Sequence, residues 1–430
     1  MESEEIYSPV ARLCSVKIIL ALACQFKWHI HQMDFQTAFL NGAVKSEIYI
    51  YPPKGFNIDQ NFVLQLNKAR YGLRESPRDW YDCFNTFMIK NEFTRSSYDC
   101  CLYYKNCGNI YIYVLLYVDD LLIICADISL ILAFKKHLTA VFKMTDLQEV
   151  QKYLGLNIVL DKKHHVLTVD QTEFIEFAAA KFNVLSTKKF NTPMEEHLKL
   201  LPAEKVDSSL KYRNLIGTLL YIVTGTRPDV AFAVNYLSRF QNCCSDTHYK
   251  YALRVLRYLY STKNLKLTYF YNPEGIVLDA FSDADHGADP ADRKSTSGIL
   301  IRLNYAPILW KTQKQKVVSK ASTHAEYYAL SETVTELLPI IGLFKDFQIT
   351  FSNLIPVFED NKGAFDLAQN GRFHKNSKHI DIRYHFVSDY VQKKVIQIIK
   401  VSSADQLADI LTKPLPRILF ERLQKQLSLK

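Results

Sequence analysis

Asp119 and Asp120 stand side by side in the most apolar run of the chain, YIYVLLYVDDLLIICA, residues 111–126. Short β-branched and aromatic runs flank Val118-Asp119-Asp120, which predicts a β-hairpin with the carboxylates at or beside its turn. Asp34 follows a second strand-like run, WHIHQM. If the two elements are neighbours in one sheet, three carboxylates gather at one end of it. Two carboxylates about 4 Å apart repel by about 1 kcal/mol in water and about 4 kcal/mol at a protein-surface dielectric, so a partly buried trio needs cations. Hard carboxylate oxygens suit Mg²⁺, which keeps waters and takes phosphate oxygens as further ligands. Two such ions clamp the attacking and leaving oxygens of a phosphoryl transfer. Aspartates are also common in solvated turns, and on these residues alone the two readings stand level.

A second acidic set lies in the C-terminal half. Asp283 ends IVLDAFSD, Glu326 opens the helix-like STHAEYYAL, Asp360 ends IPVFED, and Asp381 lies in KHIDIRYHF. Each has an ordinary explanation. Thr323-x-x-Glu326 has the form of a capping box. Asp360 before Asn361 could cap the next helix, and Asp381 could complement a helix dipole. Asp285 is either a loop residue or a rival ligand. Taken together, two strand ends and a helix start can converge in a sheet of this order, and a second two-metal site becomes the better reading.

The elements that must position these acids read as follows. Residues 10–27 have helical spacing, with Leu13, Val16, Ile19, Leu20 and Ala23 on one face. A helix is predicted after Ser76, with Pro77 at its first position. Another follows the hairpin over about 128–142, and then a two-strand unit, YLGLNIVLDKKHHVLTVD. Residues 172–262 are mainly helical, and Lys250, Arg254 and Arg257 read as a solvated helix face. YFYNPEG marks a boundary. Beyond it come three strands, a helix over 323–338, a strand, a helix stopped by Gly371, a helix near 378–393, a strand, and a last helix from Ala404 halted by Pro414. This is an α/β order. Lys311, Lys314, Lys316 and Lys320 fall on one predicted strand, with Lys311 facing away from the others. They suit either a phosphate track or a protected sheet edge.

Length and composition set outer bounds. At about 150 residues per domain, 430 residues predict two to three domains. Apolar residues at 48% and charged residues at 23% describe a globular chain. The net charge of +9 suits an anionic partner such as nucleic acid. The opening MESEEIYSPV is acidic and lacks the apolar segment of a secretory signal. The apolar run is too short for a membrane helix, and its two aspartates would be costly in lipid. Nine cysteines form no CxxC pair, which speaks against a zinc site. A soluble intracellular protein is expected.

The same acids lie in a series of recognisable stretches: MDFQTAFLNG, YGLRESPRDWY, YVDDLLI, YLGLNI, GTLLYIVTGTRPDVAFAVNYLSRF, SDAD, DRKSTSG, STHAEYYALSE, EDN and KHIDIRYHF. In this order, the chain resembles the reverse transcriptase–ribonuclease H region of a copia-type retrotransposon Pol polyprotein. The resemblance covers almost the whole chain, from YSPVARL to QLADILTKPLPR. It implies an α+β right-hand polymerase followed by an α/β ribonuclease H-like domain with a mixed sheet. The palm with partial fingers would take residues 1–180, thumb-like or connecting helices 181–275, the ribonuclease H-like domain 276–418, and a tail 419–430. Asp34, Asp119 and Asp120 would hold metal for polymerisation. Phe39 matches the family's steric gate against a ribose 2′-hydroxyl; on its residues alone it reads as a core phenylalanine. Asp283, Glu326, Asp360 and Asp381 would hold metal for cleaving the RNA strand of a hybrid. The implied cofactor is Mg²⁺, with Mn²⁺ as the alternative, two ions per site.

The implied partners are an RNA template, a DNA primer, an RNA–DNA hybrid, deoxynucleotide triphosphates and the remainder of a Pol polyprotein. No membrane is implied, and the expected location is the cytoplasm, within virus-like particles, or the nucleus. Family members carry a basic fingers segment before the position of Ser8. Its lack here predicts impaired polymerisation, because that segment positions the triphosphate; the protease and integrase of the full polyprotein are also expected to be absent. Glu75 stands where the family has Gln, His286 where it has Trp and His324 where it has Glu. The alternative reading is a degenerate element that retains only the nuclease, or only nucleic-acid binding.

Overall fold

The computed structural model describes residues 8–55, 58–59, 61–185, 188–207, 209–351, 353–370 and 378–430, without the side chains of Asn370, residues 378–382 and Tyr384. The chain divides into two compact units, Met1–Val150 with Leu343–Gln348, and Gln151–Gly342 with Ile349–Lys430.

The first unit is built on a six-stranded antiparallel sheet, ordered Thr94–Arg95, Leu102–Asn106, Tyr111–Tyr117, Asp120–Cys125, His29–Phe35, Met144–Glu149. The predicted hairpin is its centre. Leu121 to Cys125 are buried without a break, as expected of a strand covered on both faces. Three helices accompany the sheet. Leu13–Phe26 is buried from Ser15 to Gln25, so the single apolar face read from its spacing understates it. Ser76–Lys90 has Pro77 in its first turn, as predicted. Ile128–Val141 is capped by Asp127, whose carboxylate accepts the Ser129 N–H at 2.8 Å.

The second unit holds two sheets. A four-stranded antiparallel sheet runs Leu267–Phe270, Val166–Asp170, Leu156–Asp161, Lys152–Tyr153. The helices Thr172–Lys181, Tyr212–Gly225, Ala231–Ser238 and Asp246–Ser261 fill most of the stretch predicted to be helical. The other sheet is mixed and five-stranded: Ala306–Lys314, Thr296–Leu303, Leu278–Ala284, Ile355–Glu359, Ile396–Lys400. Its first three strands are antiparallel, and the last two add in parallel. This is the α/β order expected of the C-terminal half.

Several expectations need correction. The helix predicted over 323–338 runs from Ser322 to Asp346, through Pro339. The last helix does not start at Ala404. Two 3-10 turns, Ser403–Asp405 and Leu407–Leu411, occupy that stretch, and the α-helix Arg417–Lys425 follows Pro416. Gln406 separates the turns with an extended backbone, and its side chain donates to the Ser282 carbonyl at 2.9 Å. Gly371 lies outside the described residues.

The lysine row also dissolves. The strand ends at Lys314, leaving Lys316 and Lys320 beyond it. Lys311 pairs with Glu336 at 3.0 Å, and Lys314 with Asp289 at 2.6 Å and Asp292 at 2.9 Å. Lys250 pairs with Asp246 one helical turn away, as a solvated residue would. Arg254 does not behave that way: it bonds Glu195 at 2.5 Å and lies over the Phe190 ring at 4.4 Å.

Candidate functional site

The first acidic group forms where the central strands of the six-stranded sheet end. Asp34 and Asp120 are direct partners across antiparallel strands. Asp119 occupies the hairpin turn, and its carbonyl accepts the Phe35 N–H at 2.9 Å. Val118 turns the chain with a φ of +55°, and Trp80 Nε1 donates to the Val118 carbonyl at 2.8 Å. That bond pins the turn to the helix Ser76–Lys90. Asn41-Gly42 reaches the same helix: a Cβ on Gly42 would stand 2.9 Å from the Trp80 nitrogen, so only glycine fits.

The three carboxylates are held unequally. Asp120 Oδ1 accepts from Gln32 Nε2 at 3.0 Å. Asp119 Oδ2 accepts from the Tyr71 hydroxyl, while its Oδ1 is buried with no hydrogen-bond partner. Burial first, then Asp119, raises the Asp34 pKa above the usual carboxylate range. Burial also raises that of Asp120, aided by Asp34 and Asp119 and opposed by Gln32. Phe39 is 7% exposed, and its ring lies 4.1 Å from that of Tyr71. Glu75 accepts a hydrogen bond from the Ser46 hydroxyl.

The second group is tighter. Asp283 lies near the end of Leu278–Ala284, Asp360 directly follows Ile355–Glu359, and Glu326 lies on the helix Ser322–Asp346. One oxygen from each falls within 4.8 Å of the others, the only such acidic or metal-ligand group of three among the described residues. The ordinary explanations recede. Glu326 Oε2 accepts the Ala284 N–H at 2.7 Å, so the carboxylate faces the strand. Asn361 Oδ1, not Asp360, accepts the Ala364 N–H at 3.0 Å and caps the next helix. Asp285 is a loop residue whose Oδ1 accepts the Thr296 N–H at 2.6 Å. Asp381 falls on the helix Lys378–Gln392, but its side chain lies outside the described residues.

Burial first, then Asp283, Glu359 and Asp360, pushes Glu326 up to about 11. Glu359 is fully buried, its Oε2 has no partner, and its pKa lies well above the usual range, mainly through burial. Asp409 was not read from the sequence as a site residue, yet it belongs here. It is 3% exposed. Burial first, then Asp283, raises it to about 7, against the opposing effect of Lys413. Lys413 Nζ lies 2.7 Å from Asp409 Oδ1. The only sequence signal was an acid in an otherwise apolar stretch, QLADIL.

Both groups offer oxygen donors only, crowded together and with a buried carboxylate oxygen that has no partner, Asp119 Oδ1 in the first and Glu359 Oε2 beside the second. That donor set fits a hard divalent cation. His286 Nε2 lies 3.1 Å from the Ser319 carbonyl oxygen. Among the described residues, no helix is long and apolar enough to cross a membrane.

Residues 1–196 match the family model described as reverse transcriptase (RNA-dependent DNA polymerase). The chain is 35% identical over 432 residues to the retrovirus-related Pol polyprotein from transposon TNT 1-94 of Nicotiana tabacum, covering 98% of this chain and 32% of that one. It is 35% identical over 312 residues to a putative transposon Ty5-1 protein of Saccharomyces cerevisiae, covering 71% of this chain and 100% of the relative. Among solved structures, LC11-RNase H1 in complex with RNA/DNA hybrid aligns with 31% of this chain and 93% of its own, at 14% identity and a TM-score of 0.25, a likeness too slight to bear on the fold. The chain spans about a third of the plant Pol polyproteins it matches, 32% of one and 29% of two others. It belongs to the reverse transcriptase family of copia-type retrotransposon Pol proteins.

Proposed function

We propose that the chain carries two metal-dependent phosphoryl-transfer centres, one for RNA-directed DNA synthesis and one for cleaving RNA in an RNA–DNA hybrid. The observation that carries this reading is the convergence of Asp283, Glu326 and Asp360 within 4.8 Å in a buried setting. Family membership and the paired Asp34 and Asp120 beside Asp119 support the polymerase half. The reading extends to a right-hand polymerase with palm and partial fingers in 1–180 and thumb-like helices in 181–275. The ribonuclease H-like domain takes 276–418, and a tail takes 419–430.

Asp34, Asp119 and Asp120 would hold Mg²⁺ in the first centre. Asp283, Glu326 and Asp360 would hold it in the second, with Asp409 or Asp381 as the fourth acid. Mn²⁺ is the alternative ion. Bound metal would neutralise phosphate charge and activate the attacking oxygen. The chain itself presents fixed carboxylates on rigid strand ends, so little reorganisation accompanies the reaction. In the first centre, a primer 3′-hydroxyl attacks the α-phosphate of a deoxynucleotide and pyrophosphate leaves. Phe39, under Tyr71, would stand against a ribose 2′-hydroxyl.

A second reading keeps the nuclease and loses the polymerase. What favours it is that only the second group closes to metal-ligand spacing among the described residues. One assay separates the two: a labelled RNA template with an annealed DNA primer, Mg²⁺ and deoxynucleotides, both strands run on one gel. Extension with cleavage supports the full reading, and cleavage alone the second. Neither product from a folded chain removes both. Asp360→Asn should abolish cleavage and spare extension, and Asp119→Asn should do the reverse.

A further inference from the structure

The second centre has a feature that its carboxylates do not explain. Thr412 is fully buried, and its hydroxyl donates to Asp283 Oδ2. The hydroxyl has one proton to give. The Asp409 carbonyl, at 3.2 Å, is the competing acceptor. The Asp283 oxygen is the closer of the two acceptors, so the bond to Asp283 prevails.

Thr412 is itself held in place. It follows the short 3-10 turn Leu407–Leu411. That turn packs on Gly298, the residue directly opposite Asp283 on the neighbouring strand. A Cβ on Gly298 would stand 2.6 Å from Thr412 Cγ2, 2.9 Å from the Ala408 carbonyl oxygen and 3.0 Å from Leu411 Cβ. Two side chains fasten the turn to the sheet. Gln406 donates to the Ser282 carbonyl at 2.9 Å, and Thr312 to the Leu411 carbonyl at 2.8 Å. The turn is thus seated over Asp283, and the absence of a side chain at residue 298 makes the seat.

We propose that Thr412 is a positioning residue of this centre: its hydroxyl holds Asp283 in the orientation that binds metal, and the turn docked on Gly298 holds Thr412. The proposal rests on reading the centre as a metal-dependent nuclease. Without this bond the Asp283 carboxylate would lose its only neutral hydroxyl donor among the described residues and be left among acidic neighbours, Asp409 included. Hydrogen bonds to a ligating group typically change metal affinity about 10–100-fold.

The test uses the full chain with Asp119→Asn, so that the first centre contributes little. Mn²⁺ binding is followed by electron paramagnetic resonance, and hybrid cleavage is followed against Mg²⁺ concentration. Thr412→Val keeps the shape and removes the hydroxyl; Thr412→Ala serves if valine prevents folding. Thr412→Ser restores the hydroxyl. The expected result is a rise of about 10–100-fold in the half-saturating metal concentration for Val or Ala. The cleavage rate at saturating metal should stay within a few-fold, and Ser should lie near wild type. Unchanged metal dependence in Thr412→Val overturns the proposal. So does a serine variant as impaired as the valine, which would make the residue a packing element only. Mn²⁺ binding that depends on Asp283 but comes without cleavage removes the nuclease reading, and the binding comparison still decides the role of Thr412. A wild-type chain with no Asp283-dependent Mn²⁺ binding overturns both.

Discussion

The Tyr71 hydroxyl donates to Oδ2 of Asp119, and the other oxygen of that carboxylate is buried with no partner. One oxygen is thus anchored and the other is unpartnered, the arrangement a ligand of the proposed metal would have. Tyr71→Phe keeps the ring against Phe39 and removes only the anchor. The Mg²⁺ concentration needed for half-maximal primer extension should rise about 10–100-fold, while hybrid cleavage stays unchanged. A titration of extension against Mg²⁺ checks this, and an unaltered curve would show that the bond plays no part in metal binding.

Phe39 is nearly buried beneath Tyr71. If it stands against the ribose 2′-hydroxyl, Phe39→Val should raise ribonucleotide incorporation by at least tenfold, since the loss of one steric contact is worth about 1–3 kcal/mol. Deoxynucleotide incorporation should fall less. Competing the two nucleotide types on one template measures the ratio. A ratio equal to wild type would return Phe39 to the role of a core residue.

Asp409 and Asp381 compete for the place of fourth acid in the second centre. Only Asp409 has a described side chain, and burial first, then Asp283, raises its pKa. Asp409→Asn should reduce hybrid cleavage by two orders of magnitude or more, and Asp381→Asn should be mild. The reverse ranking in one cleavage assay would return the role to Asp381.

The pKa shifts at this centre fix the sign of a pH effect. Burial and neighbouring acids raise Glu326 to about 11 and Asp409 to about 7 in the folded chain. Unfolded values are about 4.3 and 3.9. Between the unfolded and folded values, the folded chain binds more protons than the unfolded one. Its stability therefore falls as pH rises through that window. Metal displaces those protons, so the stabilisation by Mg²⁺ should be larger at pH 8 than at pH 6. Calorimetry with and without Mg²⁺ at both pH values reads this directly. Glu326→Gln should flatten the metal-free slope, and a larger Mg²⁺ effect at pH 6 would contradict the assignment.

How much of this could be read beforehand depended on whether a residue's neighbours were close in sequence. The hairpin around Asp119 and Asp120 was legible because both strands and the turn are continuous. Asp283, Glu326 and Asp360 were legible because each sits at the edge of a periodic element. Asp409 was not, since its partner Asp283 is far off in the chain and the 3-10 turn carrying it has no helical or strand period. Gly298 and Thr412 carry no local signal either; their meaning comes from the close approach of a turn to a strand. Arg254 was misread for a related reason. Helical spacing put it on the polar face, and only the fold brings Glu195 and Phe190 against it.

The last prediction concerns stability within the second unit. Arg227 and Asp229 are fully buried side chains joined by two bonds, Nε to Oδ1 at 2.9 Å and Nη2 to Oδ2 at 2.8 Å. Tyr258 donates to Asp229 at 2.6 Å, Gln424 at 3.1 Å, and Arg227 reaches the Thr262 carbonyl at 3.1 Å. The network ties the helices Asp246–Ser261 and Arg417–Lys425 to the turn at Pro228. Asp229→Ala strands a buried guanidinium and should cost about 3–5 kcal/mol. Replacing both partners by apolar residues, Arg227→Met with Asp229→Leu, should cost less than the single change, because no charge is left unpaired. Urea unfolding of the wild type, the single and the double variant compares the three. A double variant less stable than Asp229→Ala would mean that the surrounding Tyr258 and Gln424 bonds, not the charge pair, carry the effect.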